Sequence, residues 1–151
     1  MKLVYRKAET ADASLLIEIY NSAFYHDYIY YGECPAYGRT IERMEYSIEK
    51  YPKYIIYADL KPVGAISFKN NGNGIYYLGC LCIIPSYQRM GIGTKAIQYI
   101  LTVCDDWKTF SLVTPSDKTK NIEFYTKKCG FSVIGESMDG NVEVVNLCIK
   151  R

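Results

Sequence analysis

The chain has 151 residues, 18 of them basic and 16 acidic, for a formal net charge of +2. That length suits one domain, 1–151, whose core needs neither disulfide nor metal, and the near balance of charge excludes the basic footprint of a nucleic-acid binder or a polybasic membrane patch. No apolar run approaches the ~18 residues of a membrane span, and Met1 to Arg6 lacks a signal-peptide core, so a cytoplasmic location is expected. The six cysteines are then expected as thiols; they show no C-x-x-C pair, so no metal is expected. Cys80 and Cys82, two apart in a strand, share one face as small apolar residues.

In chain order, Leu3 to Lys7 reads as a strand, and Thr10-Ala11-Asp12-Ala13 enters a helix carrying Leu15, Leu16, Ile19, Tyr20 and Ala23 at helical spacing. This helix is expected to end near Phe24. Tyr25 to Arg39, with Gly32, Pro35, Gly38 and five tyrosines, reads as a loop. Thr40 caps a second helix from Ile41 to about Lys50, with Ile41, Met44 and Ile48 on one side, and Tyr51-Pro52 stops it. Two strands, Tyr54 to Ala58 and Val63 to Lys69, flank the turn Asp59-Leu60-Lys61-Pro62, and Asn70 to Gly74 leads into a longer strand, Ile75 to Ile84. A helix follows at about 92 to 105, then a strand (Phe110 to Val113), a helix opened by Ser116 or Asp117 and closed at Cys129-Gly130, and a strand (Phe131 to Gly135). The turn Met138 to Asn141 and a last strand, Val142 to Ile149, complete the chain. Hairpins mixed with helical crossovers predict an α+β fold: one mixed, mostly antiparallel, twisted sheet of about seven strands flanked by helices.

The sequence Gln88-Arg89-Met90-Gly91-Ile92-Gly93-Thr94 lies between the longest strand and a helix that begins without a side-chain cap. Such a turn leaves backbone N–H groups and the positive helix end free for an anion such as phosphate. An ordinary strand-to-helix turn relieved by Gly91 and Gly93 fits the same residues. Some thirty residues on, Asn121 to Phe131 carries Phe124 and Tyr125 one turn before Cys129-Gly130, where packing alone also accounts for the aromatics.

Taken together, these two stretches and the element order resemble the GNAT superfamily of acyl-CoA-dependent N-acyltransferases over nearly the whole chain. Tyr87 to Gly93 looks like that family's pyrophosphate-binding signature, and Phe124-Tyr125 with Cys129-Gly130-Phe131 is similar to its second signature. The resemblance implies splayed central strands and acetyl-CoA as co-substrate. It implies that Gln88, Arg89, Met90, Gly91, Ile92, Gly93 and Thr94 serve the pyrophosphate, and that the backbone of Leu81, Cys82 and Ile83 pairs with the pantetheine arm. The family's usual asparagine falls on Lys118, with Asn121 almost one helical turn later; either is a candidate for CoA. Tyr125 resembles the residue that serves the leaving group.

Acetyl transfer to an amine needs a neutral amine, a donor for developing oxyanion charge and stabilisation of the departing thiolate. A strand N–H at Cys82 or Ile83 suits the second need. With a phenol near ~10 and a thiol near ~8.5, full proton transfer from Tyr125 is uphill by roughly 2 kcal/mol, so hydrogen-bond donation is the expected role. Some members of the family carry a glutamate base on a central strand, but the corresponding positions here are Tyr77 and Val113. His26, Asp27 and Glu33 remain as candidates, or water takes the proton. By resemblance the segment after the first helix shapes the acceptor pocket, where Tyr31 and Tyr37 beside Asp27 and Glu33 suit a cationic amine; a loop held down by aromatic packing fits the same residues. The expected function is transfer of acetyl to a primary amine of a small molecule or peptide by direct attack, with a homodimer as the candidate assembly. The alternative is a non-catalytic acyl-CoA-binding sensor.

Overall fold

The computed structural model describes residues 1–151. Its strands are β1 (Leu3–Lys7), β2 (Lys53–Ala58), β3 (Lys61–Asn70), β4 (Ile75–Ile83), β5 (Thr109–Pro115), β6 (Ser132–Asp139) and β7 (Val142–Lys150). The helices are α1 (Ala13–Tyr31), α2 (Ile41–Lys50), α3 (Ile92–Val103) and α4 (Thr119–Glu123), the last continuing as a π-helical turn over Phe124–Lys128. One mixed seven-stranded sheet runs in the order β1-β2-β3-β4-β5-β7-β6. Its parallel ladder, β4 with β5, spans Ile75 to Tyr77 against Thr109 to Ser111, although β4 runs on to Ile83 and β5 to Pro115. No helix is long and apolar enough to cross a membrane.

The chain forms two units, of which the first comprises residues 1–69 and 79–96. Leu16, Ile19 and Tyr20 of α1 and Met44 and Ile48 of α2 pack there on Ile55, Ala65 and Cys82. Asp12 fixes the entry of the first helix: its carboxylate accepts the Glu9 N–H at 2.8 Å and both Arg6 guanidinium nitrogens at 2.8 and 2.9 Å. Thr40 Oγ1 accepts the Arg43 N–H, as expected of a cap, but Ile41 stays exposed while Met44 and Ile48 are buried. The turn between β2 and β3 is tighter than expected, Asp59 and Leu60 alone, at φ of +47° and +71°. Such a turn matches the strand twist, and Lys61 and Pro62 join β3.

The largest departure from expectation lies in α1, which continues seven residues beyond Phe24, so Tyr25 to Tyr31 is helix and not loop. Aromatic residues are only mildly unfavourable in helices; the end comes at the first residue able to take a left-handed conformation. That residue is Gly32, at φ +76°, whose N–H donates to the Tyr28 carbonyl at 2.9 Å.

β4 carries an extra residue. A Cβ on Gly79 would face the Ser67 Oγ at 3.1 Å, while five residues on the Ile84 N–H donates to the carbonyl of Val63, only four residues back along β3. This bulge lies in the stretch that holds Cys80, Leu81 and Cys82. Nearby, a Cβ on Gly64 would come within 2.4 Å of the Cys82 carbonyl oxygen, so β3 must present glycine there.

The second unit comprises residues 70–78 and 97–151. Tyr76 stacks on Phe110 with centroids 5.0 Å apart, and its hydroxyl donates to the Asp106 carboxylate. Phe110, Leu112 and Thr114 of β5 are buried, as are Val144, Val145 and Leu147 of β7. The helix expected from Ser116 or Asp117 starts instead at Thr119, because the Lys118 N–H closes a turn onto Pro115.

Candidate active site

In the first unit, the segment between β4 and α3 opens with a single 3-10 turn, Pro85–Tyr87, after which Gln88 returns to extended backbone. The Gln88 side chain donates to the Ile83 carbonyl at 2.9 Å and so ties the loop to the strand end. Arg89 then adopts φ +64°, a left-handed conformation that non-glycine residues enter at a cost, and Gly91 follows at φ +81°. Helix α3 begins with the Lys95 N–H bonded to the Gly91 carbonyl at 3.2 Å. Ile92, Gly93 and Thr94 therefore occupy the first helical positions, whose N–H groups have no partner within a helix. The Ile92 side chain, 1% exposed, anchors the turn from beneath. A Cβ on Gly91 would meet nothing within 4 Å, so its surface is open to a ligand. An open turn, a helix start without an acidic side chain in its first turn and exposed Arg89 and Lys95 fit an anionic pyrophosphate.

On β4, Leu81 and Ile83 are half-buried and the Cys82 side chain is buried at 5% exposure. A hydrogen bond shared with Cys80, together with burial, holds the Cys82 thiol well above the usual thiol range, while the same bond and the charge of Lys53 draw Cys80 down. A thiol kept protonated is a poor nucleophile.

Tyr125, in the second unit, lies inside the π-helical turn, 9% exposed. Its ring meets Phe124 edge-on at 5.0 Å and Phe131 at 5.6 Å. The Thr126 hydroxyl donates to the Ile122 carbonyl at 2.8 Å, a side-chain bond of the kind that accompanies widened helical turns. Lys118 takes the N-cap position of α4, and the exposed Asn121 donates its amide to Thr114 Oγ1 on β5 at 3.3 Å. Tyr77 is half-buried, and burial raises its phenol above the ordinary value.

The expected acceptor residues divide. His26, Asp27 and Tyr31 are helical residues of α1, with His26 exposed and edge-on to Tyr25 at 5.9 Å, whereas Glu33 follows the helix stop. Tyr37 folds back from the connecting segment and stacks on Tyr28 at 4.5 Å and 15°. Tyr25 to Tyr31 thus belong to α1 rather than to the expected loop, with Tyr37 stacked on the helix from outside it.

Sequence reasoning missed a group centred on Tyr20. The Lys53 ammonium lies 5.9 Å from the Tyr20 ring centroid and the Arg39 guanidinium 5.4 Å from it. Lys53 is 4% exposed and Tyr20 1%. Burial pushes Lys53 down to about 8, with the neighbouring Arg39 adding to the effect. Its one sequence signal is a lysine opening a strand whose next buried positions are isoleucines, which alone resembles an ordinary surface lysine.

Residues 15–131 match the model of the acetyltransferase (GNAT) family, and the chain belongs to that family. It is 29% identical over 122 residues to N-alpha-acetyltransferase 50 of Danio rerio, a match covering 76% of this chain and 61% of that protein. The chain spans about half the length of the curated relatives it matches. Among solved structures it superposes on an acetyltransferase from Thermus thermophilus with a TM-score of 0.81 at 17% identity, covering 100% of this chain and 98% of that one. A second similar fold is the PaiA N-acetyltransferase of Thermoplasma acidophilum in complex with coenzyme A, with a TM-score of 0.72 at 19% identity, covering 97% and 98%. The family's general chemistry is acetyl transfer, and coenzyme A complexes occur among proteins of this fold.

Proposed function

We propose that the chain is an acetyl-CoA-dependent N-acetyltransferase acting on a primary amine of a small molecule or peptide by direct attack. The observation that carries this reading is the open turn at Gly91, with its unpaired helix-start amides, in a chain of this family. Acetyl-CoA supplies the acetyl group as a thioester. Arg89 to Thr94 hold its pyrophosphate by backbone N–H groups, with Gln88 fixing the loop to β4, and Lys118 and Asn121 assist in binding. The backbone of Leu81, Cys82 and Ile83, at the bulge, pairs with the pantetheine arm, and an N–H at Cys82 or Ile83 donates to developing oxyanion charge. Tyr125 donates a hydrogen bond to the departing thiolate. The buried, protonated Cys82 supports direct attack over a covalent acetyl-cysteine. His26, Asp27, Tyr31, Glu33 and Tyr37 are proposed to border the amine.

One observation favours a second reading, a non-catalytic acyl-CoA sensor: Tyr77 and Val113 stand where a strand carboxylate would serve as base. Release of free CoA thiol from acetyl-CoA decides between them, using polyamines, aminoglycosides, amino acids and peptide N-termini as acceptors. Amine-dependent release supports the enzyme; CoA binding without any release supports the sensor.

A further inference from the structure

The group around Tyr20 holds two cations and a buried hydroxyl, and no acid is among the groups that act on its lysine. Tyr20 Oη is buried with no oxygen or nitrogen partner in the protein, only the weakly hydrogen-bonding Cys80 thiol beside it, an arrangement that costs free energy unless something completes it. Burial holds that phenol well above its usual range, so it stays a donor. The side chains of Cys80 and Cys82 lie beside it. Lys53 is buried against the same ring, and the groups that act on it are Cys80, Arg39 and Cys82, with no carboxylate among them. Arg39, on another side of the group, donates to the Pro35 carbonyl at 3.0 Å and to Ser47 Oγ at 3.3 Å, two neutral acceptors. Two like charges held against one ring repel each other, and a buried cation without a counterion is costly. An anion entering there would relieve both penalties.

Arg39, half-buried, is the member of the group that reaches solvent: it lines an open groove with Glu42, Arg43, Tyr46, Ser47 and Tyr51, whereas Tyr20 and Lys53 lie beneath it in the core. All of these residues lie in the first unit. Resting on the N-acetyltransferase reading, we propose that Lys53, Arg39 and the Tyr20 hydroxyl form a carboxylate subsite, so that the amine acceptor is a molecule bearing a carboxylate. A planar carboxylate offers two oxygens, enough for the Arg39 fork or for Lys53 and the phenol together. Proton transfer is not required; the subsite binds and orients.

The test has two independent arms. In the first, calorimetry measures binding of butyrate to the protein alone, with butylamine as the cationic control. Butyrate should bind while butylamine should not, and Lys53→Met should weaken butyrate binding about 30-fold or more, the scale for losing one partner of a buried charge pair. Tyr20→Phe, which removes only the hydroxyl, should weaken it less while raising Tm without ligand, because a buried donor served only by a thiol is gone. In the second arm, CoA thiol release compares aminocarboxylates from glycine to 6-aminohexanoate with their decarboxylated amines. A preference for aminocarboxylates that collapses in Lys53→Met supports the subsite. Equal use of both series, with no butyrate binding, overturns it while leaving the N-acetyltransferase reading intact. Butyrate binding that depends on Lys53, without amine-dependent release, supports the subsite and removes that reading. Binding of butyrate unchanged in both variants overturns the assignment to these residues.

Discussion

The Phe131 N–H donates to the Tyr125 carbonyl at 2.9 Å, and the two rings meet at 70°, so the end of the π-helical turn and the start of β6 hold Tyr125 from backbone and side chain together. Both contacts are independent of the phenolic oxygen. Tyr125→Phe should therefore keep the fold, with stability within about 1 kcal/mol. If the hydroxyl donates to the leaving thiolate, kcat should fall about 100-fold while CoA affinity changes little. Steady-state kinetics alongside calorimetric CoA binding check this, and an unchanged kcat removes the proposed role.

Gly91→Val probes the cradle. At φ +81° a β-branched residue is strained, and the variant should lose about 1 to 2 kcal/mol of stability. The added side chain enters open space over the helix start, so CoA affinity should fall about tenfold or more, with Gly91→Ala intermediate. Retained affinity in a folded Gly91→Val protein would show that the pyrophosphate lies elsewhere.

Lys53 supplies a pH signature. Its folded value of about 8 lies below the ordinary 10.5, so between these pH values the unfolded chain binds more protons and stability should rise with pH. Below pH 8 both states are protonated and the full penalty stands, about 3 kcal/mol against the charged form. Lys53→Met should thus be more stable at pH 7 by about 2 to 3 kcal/mol and should lose the rise above pH 8. Urea unfolding from pH 7 to 10.5 measures both, and parallel curves for the two proteins would rule out a buried charge at this position.

The β2–β3 turn offers a stabilising change. Leu60 holds φ +71° with its side chain 89% exposed, so it carries left-handed strain with little packing in return. Leu60→Gly creates an Asp-Gly turn and should gain about 0.5 to 1 kcal/mol, read from the urea midpoint. A loss would mean that the leucine contributes through contacts despite its exposure.

The order of elements along the chain and the glycine turn were legible because periodicity and punctuation are local. Thr40 could be read as a cap, and Gly91 as a turn, from their immediate neighbours. The helical extent of Tyr25 to Tyr31 was not, since tyrosine-rich composition suggests a loop whereas only Gly32 can end the helix. Hidden for another reason were Asp59-Leu60, whose positive φ values lack the usual glycine, and the π-helical turn, which keeps an ordinary helical pattern. The Tyr20, Lys53 and Arg39 group spans α1, β2 and the segment before α2, and no spacing rule joins residues so far apart. A grouping of that kind emerges only once the chain has folded.

The extra residue in β4 resets the parity of the strand. Where the bulge begins, the odd-numbered Gly79 faces Ser67, whereas further on the even-numbered Cys82 packs with Ala65, two residues from Ser67 and so on the same face of β3. An odd number of residues gained or lost between Gly79 and Cys82 would exchange the thiols for Leu81 and Ile83 beside Tyr20. Chain length across this short interval, as much as side-chain chemistry, thus decides which side chains the buried tyrosine meets.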